Sequence, residues 1–365
     1  MSLCCALVLS AQMFHAERQR HLSLPLSHKL PSFARIGSRQ AIIAGRCGGV
    51  EIFDADAVHA GLPWKALIKG LIAHHRRDVD TRGAVVLAQP GARGEDNFLA
   101  LPAWQKGRAI GAKLVSVFPE NEHNGSGLPS IQGVYVLFSG QDGQVLAVID
   151  GAAITERKTA ADSAAGAHFL AREDAERMLM VGAGVMGGAL IPAHLAARPT
   201  IREVAIWNRT PERAEALANS LDLPGVRVMP VRDLEAAARQ ADLISCATMA
   251  AEPLIMGAWL KPGAHLDLVG SFRTDMRECD AEALRRGTLF LDSCWSAVEE
   301  SGEIQDAIKT GVITAEDLKA DLFALARREH PGRASSDQIT VFKNGGGGHL
   351  DLMVAQILVE RLRQV

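Results

Sequence analysis

The sequence has none of the features that mark membrane-spanning, disulfide-stapled or nucleic-acid-binding proteins. No apolar run reaches the roughly 18–20 residues of a membrane-spanning helix. Its 6 cysteines form no CxxC pair and no Cys/His ligand spacing, which predicts reduced cytoplasmic thiols and no metal site. The net charge is only −3, with both signs interspersed, so we expect neither a nucleic acid nor a membrane surface as a partner.

The composition that remains is that of an ordinary globular protein, with 48% hydrophobic and 22% charged residues. A length of 365 residues exceeds the roughly 250–300 at which one core usually divides, so we expect two domains. Residues 1–48 join a short apolar stretch to a basic, Ser/Pro-containing segment. Because a secretory signal carries its positive charge before the apolar part, a disordered extension is the preferred interpretation and a targeting segment the alternative.

The rhythm of strands and helices changes near an Ala-rich helix predicted at 155–171. Before it, short β segments lie close together, including a strongly apolar strand at 109–118, which predicts an antiparallel or mixed sheet. After it, helices alternate with strands, which predicts parallel pairing. The strands predicted there are 178–181, 203–207, 227–230, 243–247, 265–269 and 288–291. A closing helix is predicted at 350–362.

A glycine-rich bend between a predicted strand and a predicted helix is the strongest local motif. It reads GAGVMG and places Gly182, Gly184 and Gly187 in the GxGxxG spacing of dinucleotide-binding sites. The first glycine permits a tight turn, the second lets the backbone approach a pyrophosphate, and the third lets helix and strand pack closely. We expect Val185 and Met186 to contact the cofactor as well, because they begin the helix whose free N–H groups face the phosphates.

The end of the next strand predicts which dinucleotide is bound. NAD enzymes usually carry a carboxylate there, whereas this chain has the neutral Asn208 followed by the cation Arg209. Arg209 can grip a 2′-phosphate as a fork, Thr210 offers a hydroxyl, and Arg213 lies one helical turn further on. We therefore predict NADP, with NADPH preferred over NADH; the alternative is that Arg209 is only a solvated residue at a helix start.

Residues after two later strands should line the same cleft. Ligands of open parallel sheets bind beyond the carboxyl ends of the strands, so Thr248, Gly270 and Ser271 are predicted neighbours of cofactor or substrate. Cys246 is interpreted as a small core residue and not as a nucleophile.

Several motifs then follow one another in a fixed order: GAKLVSVFPEN from Gly111, LPSIQG from Leu128, DGAAITERKTAA from Asp150, GAGVMG, WNRT, and GSFRTDMRE from Gly270. From about residue 50 to the end, the chain resembles the ornithine cyclodeaminase/mu-crystallin family. The resemblance implies an α/β fold, in which a Rossmann doubly wound parallel sheet at 166–339 is inserted into a smaller α+β domain. That substrate-binding and dimerisation domain would comprise 49–165 and 340–365, and the protein would be a homodimer.

The resemblance also assigns residues. Lys113 corresponds to the family's active-site lysine and Ser130 to a position that contacts the cofactor. An arginine upstream normally binds the substrate carboxylate; Arg82 is the first candidate, and Arg76 and Arg77 compete with it.

Two departures narrow the function that the resemblance implies. Lys158, with Arg157 beside it, replaces the family's usual arginine, which keeps the charge and loses the bidentate fork. Ser271 replaces the aspartate that ornithine cyclodeaminases carry. The chain is therefore more similar to the ketimine reductase branch, whose reaction would be NADPH-dependent reduction of Δ1-pyrroline-2-carboxylate to L-proline, or of Δ1-piperideine-2-carboxylate to L-pipecolate. The alternatives are an ornithine cyclodeaminase and a mu-crystallin-like protein that binds NADPH and a small ligand.

In this mechanism Arg82 would hold the carboxylate and Lys113 would supply a proton, with a pKa lowered by burial. Lys158 would share one of these two roles. Asp292 is interpreted as a residue that orients a loop. Four glycines before His349 suggest a close backbone approach to nicotinamide or substrate, and His349 itself stays open between a structural turn and a catalytic role.

Overall fold

The structure, a computed structural model, describes residues 45–47, 49–81 and 83–363. Within these ranges the chain forms two eight-stranded sheets. The α-helices are α1 (Ala55–Gly61), α2 (Trp64–His74), α3 (Gly151–Leu170), α4 (Val185–Ala197), α5 (Pro211–Ser220), α6 (Leu234–Gln240), α7 (Ala281–Arg286), α8 (Cys294–Glu300), α9 (Gly302–Lys309), α10 (Leu322–Arg327) and α11 (Gly348–Leu362). Short 3-10 helices lie at Pro119–Glu122, Gly257–Trp259 and Ala315–Asp317. No helix of the described ranges is long and apolar enough to cross a membrane.

The first sheet contains the strands of the amino-terminal half. They are β1 (Gly45–Cys47), β2 (Val50–Phe53), β3 (Asp80–Thr81), β4 (Val85–Gly91), β5 (Gly94–Gln105), β6 (Ala109–Val117), β7 (Ile131–Ser139) and β8 (Val145–Asp150). Their order is β1-β2-β8-β7-β6-β5-β3, with β4 paired to β5. Only β2 and β8 run parallel, so the expected mixed sheet is confirmed. Helices α3 and α11 pack on one face of β6 and β7, and that face carries the buried side chains.

The second sheet is parallel throughout. Its strands are β9 (Arg177–Val181), β10 (Glu203–Trp207), β11 (Arg227–Pro230), β12 (Leu243–Cys246), β13 (His265–Leu268), β14 (Thr288–Leu291), β15 (Leu318–Asp321) and β16 (Thr340–Lys343). The order β11-β10-β9-β12-β13-β16-β14-β15 reverses direction between β9 and β12. Such a reversal opens a crevice at the carboxyl ends of the two strands, where doubly wound sheets bind ligands.

Two predicted boundaries shift in the structure. Strand β1 pairs with β2, so ordered chain starts before the predicted residue 49, while 1–44 and 48 lie outside the described residues. Strand β16 pairs with β13 and β14, so the segment that returns to the first half begins after Lys343 and not at 340. Helix α3 passes the predicted boundary at 165 and contacts elements of both halves. The division into domains otherwise stays a prediction.

Candidate functional site

The glycine bend at the end of β9 has the geometry that its sequence predicts. Gly182 has a φ of 109°, and a Cβ there would lie 2.5 Å from the Ala247 carbonyl oxygen. A Cβ on Gly187 would overlap the Gly182 carbonyl oxygen, so this glycine lets α4 pack against the bend. Around Gly184, by contrast, a Cβ would meet no atom within 4 Å. The open space at Gly184 lies where α4 begins, and there unpaired N–H groups can receive a phosphate.

The residues after β10 divide into a structural one and three exposed ones. Asn208 accepts a hydrogen bond from the Ala183 N–H at 3.1 Å and donates one to the Thr210 carbonyl at 2.9 Å, which ties this loop to the glycine bend. Arg209, Thr210 and Arg213 are exposed. Neither arginine forms an ion pair within the part of the chain that the structure describes. Both guanidinium groups are therefore available to an anionic ligand. Arg213 also lines a shallow pocket of about 400 Å³ beside Ala183.

One wall of the crevice is apolar. Val185, Met249 and Phe272 follow the ends of β9, β12 and β13, and they are 74%, 76% and 54% exposed. Large apolar side chains exposed from three neighbouring strand ends suit the flat ring of a nucleotide. Met186, also predicted to contact the cofactor, is half-buried and packs against the core.

A buried carboxylate holds two loops of the crevice together. Glu278 accepts hydrogen bonds from the N–H and hydroxyl of Thr248 at 2.6 and 2.9 Å, and from the Gly270 N–H at 2.6 Å. Burial raises the pKa of Glu278 to about 7, although nearby Lys343 and these hydrogen bonds oppose the rise. The glutamate thus fixes Thr248 and Gly270, both predicted neighbours of the ligands, at the edge of the crevice.

Ser271 points into the protein. Its side chain is 1% exposed, and its hydroxyl donates to Glu303 and accepts from the Lys343 Nζ at 3.1 Å. Lys343 lies 3.7 Å from Glu303, so the three side chains form a buried polar group behind the crevice. The contact of Ser271 with a cofactor stays a prediction.

The second part of the site is a buried charged group between the first sheet and two helices. On β6, the Lys113 Nζ donates to Thr155 Oγ1 of α3 at 3.2 Å and lies 3.4 Å from Asp351 Oδ2 of α11. The Lys158 Nζ of α3 lies 3.4 Å from that same oxygen. These are ion-pair contacts and not well-aligned hydrogen bonds. The fold thus brings the two predicted lysines together around one carboxylate.

Lys113 is the member of this group best placed to meet a ligand. Its side chain is 11% exposed, compared with 6% for Lys158 and 0% for Asp351. Burial lowers the pKa of Lys113, as expected, while Asp351 raises it and Lys158 lowers it further. Its catalytic role stays a prediction.

Tyr135 closes the group from the neighbouring strand. It lies opposite Lys113 on β7 and is fully buried. Gly111 makes room for it, because a Cβ there would overlap the Tyr135 hydroxyl. Burial, together with Asp351, raises the pKa of Tyr135 well above its ordinary value, so the ring is a neutral wall.

Arg157 and Lys158 point in different directions. The Arg157 guanidinium lies 4.1 Å from the centre of the Trp64 ring, and its Nε donates to His59 Nδ1 at 2.9 Å. Successive helical residues are turned by about 100°, so only Lys158 faces the charged group. Lys158, and not its arginine neighbour, therefore contacts Asp351, and its correspondence to the family's arginine stays a prediction.

Of the three arginines predicted to bind the substrate carboxylate, the structure describes two. Arg82 lies outside the described residues. Arg76 is exposed and donates to the Ala326 carbonyl at 3.2 Å, and Arg77 is exposed. Ser130 donates to Glu122 Oε1 at 2.6 Å, so its contact with a cofactor also stays a prediction.

The glycines at 345–348 join the two parts of the site. Their predicted approach to a nicotinamide or a substrate stays a prediction, and the structure shows that they also lie close to protein atoms. A Cβ on Gly345 would lie 2.6 Å from Ala297 backbone atoms. Gly346 and Gly347 have φ values of 70° and 138°, which other residues rarely adopt. The Gly347 carbonyl accepts from the Lys158 Nζ at 3.4 Å, so the loop touches the charged group.

Asp292 orients this loop, as predicted. Its Oδ2 accepts from the N–H groups of Gly345 and Gly346 at 2.9 and 2.6 Å. Burial raises the pKa of Asp292 to about 7. The carboxylate thereby fixes the loop to the end of β14.

His349 belongs to a buried aromatic group. Its ring centre lies 5.3 Å from Trp295, 5.7 Å from Phe323 and 6.1 Å from His75. Neither ring nitrogen has a hydrogen-bond partner among the described residues, and burial lowers the pKa of His349 well below its ordinary value. A neutral imidazole packed among rings favours the structural interpretation of this residue.

Comparisons with known proteins agree with this geometry. The sequence profile of the ornithine cyclodeaminase/mu-crystallin family matches residues 72–365. The chain belongs to this family. It is 44% identical over 277 residues to the Delta(1)-pyrroline-2-carboxylate reductase of Paracoccus denitrificans. That match covers 74% of this chain and 87% of the Paracoccus protein. It is 43% identical over 271 residues to Protein SAR DEFICIENT 4 of Arabidopsis thaliana, covering 72% and 82%.

A solved structure of the same family has the same architecture. The Delta(1)-pyrroline-2-carboxylate reductase of Thermococcus litoralis, in complex with NADH and L-proline, superposes with a TM-score of 0.78 at 26% identity. The match covers 86% of this chain and 97% of that one. The family and the Rossmann class expected from the motifs are thereby confirmed.

Asp351, which contacts both Lys113 and Lys158, was not predicted from the sequence as a residue of the site. It ends the segment Gly348-His-Leu-Asp351, in which the glycines and the histidine drew attention. An aspartate followed by the apolar run Leu352-Met-Val-Ala355 was the available signal, because a buried carboxylate needs a cationic partner. Nothing local indicated that the partners would be two lysines from other elements.

Proposed function

We propose that this chain catalyses NAD(P)H-dependent reduction of a cyclic α-imino acid. Δ1-Pyrroline-2-carboxylate, giving L-proline, is the first candidate substrate, and Δ1-piperideine-2-carboxylate, giving L-pipecolate, is the second. The carrying observation is the buried group of Lys113, Lys158 and Asp351, joined by a glycine loop to the edge of a dinucleotide crevice. The names of the Paracoccus and Thermococcus relatives support the same reaction.

A pyridine nucleotide fits the crevice. Gly184 leaves the pyrophosphate path open, and Val185, Met249 and Phe272 offer an apolar wall. When bound, the reduced nicotinamide supplies a hydride to the imine carbon.

Lys113 supplies the proton that this reduction needs. As the imine carbon gains a hydride, the π pair of the C=N bond moves to nitrogen. An N–H bond of the Lys113 ammonium breaks and a new amine N–H bond forms, after which solvent returns a proton to the lysine. A pKa lowered by burial makes the ammonium a better acid for this step.

The substrate carboxylate requires a cation on the same side of the site as Lys113. Lys158 faces the site with its charge, although as a point charge and not as a fork. Arg82 remains the proposed second cation. Its neighbour in sequence, Thr81, has its hydroxyl 3.4 Å from where a Cβ on Gly348 would lie, at the end of the glycine loop.

We infer a preference for NADPH from the exposed loop after β10. Arg209 and Arg213 are exposed and form no ion pair with the described residues, and Thr210 adds a hydroxyl; this set suits a 2′-phosphate. Arg209→Ala should lower the ratio of kcat/KM with NADPH to that with NADH by about tenfold or more, since a charged hydrogen bond contributes about 1.5–3 kcal/mol. An unchanged ratio would remove this part of the proposal.

We also propose a homodimer that buries the outer face of the first sheet. Ile52, Phe98, Trp104 and Val134 project from this face on three strands, β2, β5 and β7, and are 38–51% exposed. An apolar patch that crosses a whole sheet marks an association site. A second copy is the partner that the family resemblance implies. We also propose the cytoplasmic location that the cysteine pattern predicts.

Light scattering on a sizing column tests the dimer. Val136 lies on the outer face of the central strand β7, so Val136→Lys should convert a dimer to a monomer. Gln141→Lys, in the exposed hairpin turn, is the matched control and should leave the mass unchanged. A monomeric wild type would refute the dimer.

The function is tested by NADPH consumption with the two cyclic imino acids, beside ornithine alone. Reduction of either imino acid without ammonia release from ornithine is the expected result. Lys113→Met should lower kcat by about 10²–10⁴-fold, the usual contribution of a general acid. Ammonia from ornithine would instead identify a cyclodeaminase, and NADPH binding without turnover of any substrate would identify a binding protein.

A further inference from the structure

We propose that Asp351 is the positioning residue of the active site: its buried carboxylate, shared between two ammonium groups, keeps the proton donor Lys113 charged against the repulsion of Lys158. The inference rests on the proposed function, because a charged Lys113 matters only if a C=N bond is protonated. Asp351 itself is fully buried, so it acts through Lys113 and does not meet substrate.

The geometry leaves Lys113 with two opposing neighbours. Both Nζ atoms lie 3.4 Å from Asp351 Oδ2, so the two like charges are within about 7 Å of each other. Without the carboxylate, a lysine this deeply buried would give up its proton easily, since burial and a like charge both disfavour the ammonium form. Asp351 is thus the one anion that contacts both ammonium groups among the described side chains.

Three elements beside the group present a further polar or titratable side chain, and none of these three is an anion. Strand β7 offers the neutral Tyr135, α3 offers the Thr155 hydroxyl, and α11 offers the neutral His349 two residues before Asp351. Asp162, one turn beyond Lys158 on α3, is also fully buried, and burial raises the pKa of its carboxyl well above the ordinary value. Neither of its oxygens has a hydrogen-bond partner among the described residues, and neither forms an ion pair there with Lys113 or Lys158.

Asp351→Asn and Lys158→Met should shift the alkaline limb of the pH profile in opposite directions. An ammonium donor is present below its pKa and is lost as pH rises through it, so the pKa of Lys113 sets the alkaline limb of kcat/KM. Asp351→Asn removes the stabilising charge and should move that limb down by about 1–3 pH units. Lys158→Met removes the repelling charge and should move it up. Wild type and both variants are assayed with the same imino acid. Any titration of the substrate itself then affects all three enzymes equally.

A surface variant serves as the matched control. Asp233 is an exposed aspartate that caps α6, and Asp233→Asn keeps a capping oxygen, so the limb should not move. A merely structural role for Asp351 would lower activity while leaving the limb in place, and that result would overturn the inference.

A second measurement needs no catalysis. Acetic anhydride acetylates only the neutral amine, so peptide mass spectrometry of Lys113 after brief labelling reports its pKa directly. At a pH below that pKa, Asp351→Asn should label Lys113 about tenfold faster for each unit by which the pKa falls. A wild type that reduces no imino acid would sink the proposed function while labelling still tests Asp351. Should Asp351→Asn not fold, Lys158→Met decides: slower labelling supports the inference, and unchanged or faster labelling overturns it.

Discussion

Three neighbouring glycines of the nucleotide bend should respond differently to the same added methyl group. At Gly184 a Cβ meets no protein atom within 4 Å, so Gly184→Ala should leave the stability of the unliganded protein within about 0.5 kcal/mol of wild type. At Gly187 a Cβ overlaps a backbone oxygen, which cannot rotate away. Gly187→Ala should therefore destabilise the protein by about 1–3 kcal/mol, the usual cost of overpacking. At Gly188 the nearest atom is a flexible Leu217 methyl at 3.7 Å, so Gly188→Ala is the control.

Ligand-dependent unfolding separates the two effects. A nucleotide at a hundred times its Kd stabilises the folded protein by about 2.7 kcal/mol. Wild type and Gly188→Ala should show that gain with NADPH, whereas Gly184→Ala should lose most of it because the methyl occupies the pyrophosphate path. Thermal unfolding with and without NADPH measures both quantities. The reasoning is refuted if Gly184→Ala binds NADPH normally, or if it is as unstable as Gly187→Ala before any nucleotide is added.

Three further predictions concern buried or semi-buried polar groups. Asp162→Asn should stabilise the protein increasingly as pH rises, because the folded state keeps a proton that the unfolded chain releases above the ordinary aspartate pKa; unfolding free energies at pH 5 and pH 8 check this. Glu278→Gln places an amide N–H against one of three donors, so KM for NADPH should rise several-fold with little change in kcat, as steady-state kinetics at saturating substrate would show. Arg157→Ala should cost about 1 kcal/mol in denaturant unfolding through lost contact with Trp64, and an accompanying fall in kcat/KM would contradict its placement outside the site.

The elements that the sequence predicted well are those with a strong local pattern. The strands at 203–207, 227–230 and 288–291 have the predicted bounds, and each lies between turn or helix signals. Strands β15 and β16 were missed. The insertion of β16 between β13 and β14 is a long-range pairing, which no local window contains.

The same distinction applies to the site. The glycine bend is one contiguous motif whose residues act through their own backbone, so its geometry could be predicted in detail. The charged group is assembled from β6, α3 and α11, and only the fold makes them neighbours. The resemblance supplied Lys113 and Lys158 by position, but Asp351 had no motif of its own. Helical phase, which distinguishes Lys158 from Arg157, also became clear only once α3 was placed against both sheets.

In the proposed reaction the hydride donor binds at the second sheet, whereas the proton donor lies on the first. On the second sheet the position that an aspartate occupies in cyclodeaminases is Ser271, and its hydroxyl is engaged with Glu303 and Lys343 inside the protein. The Ser271 hydroxyl is therefore not free to act as an acid or base, which is why the proposed reaction assigns the proton to Lys113 on the first sheet. The loop at 345–348 connects the two sources: Asp292 holds it at one end, and its Gly347 carbonyl accepts a hydrogen bond from Lys158. Its glycines are thus required by the protein's own packing, and the loop connects the end of β14 to the charged group without contributing a side chain to either.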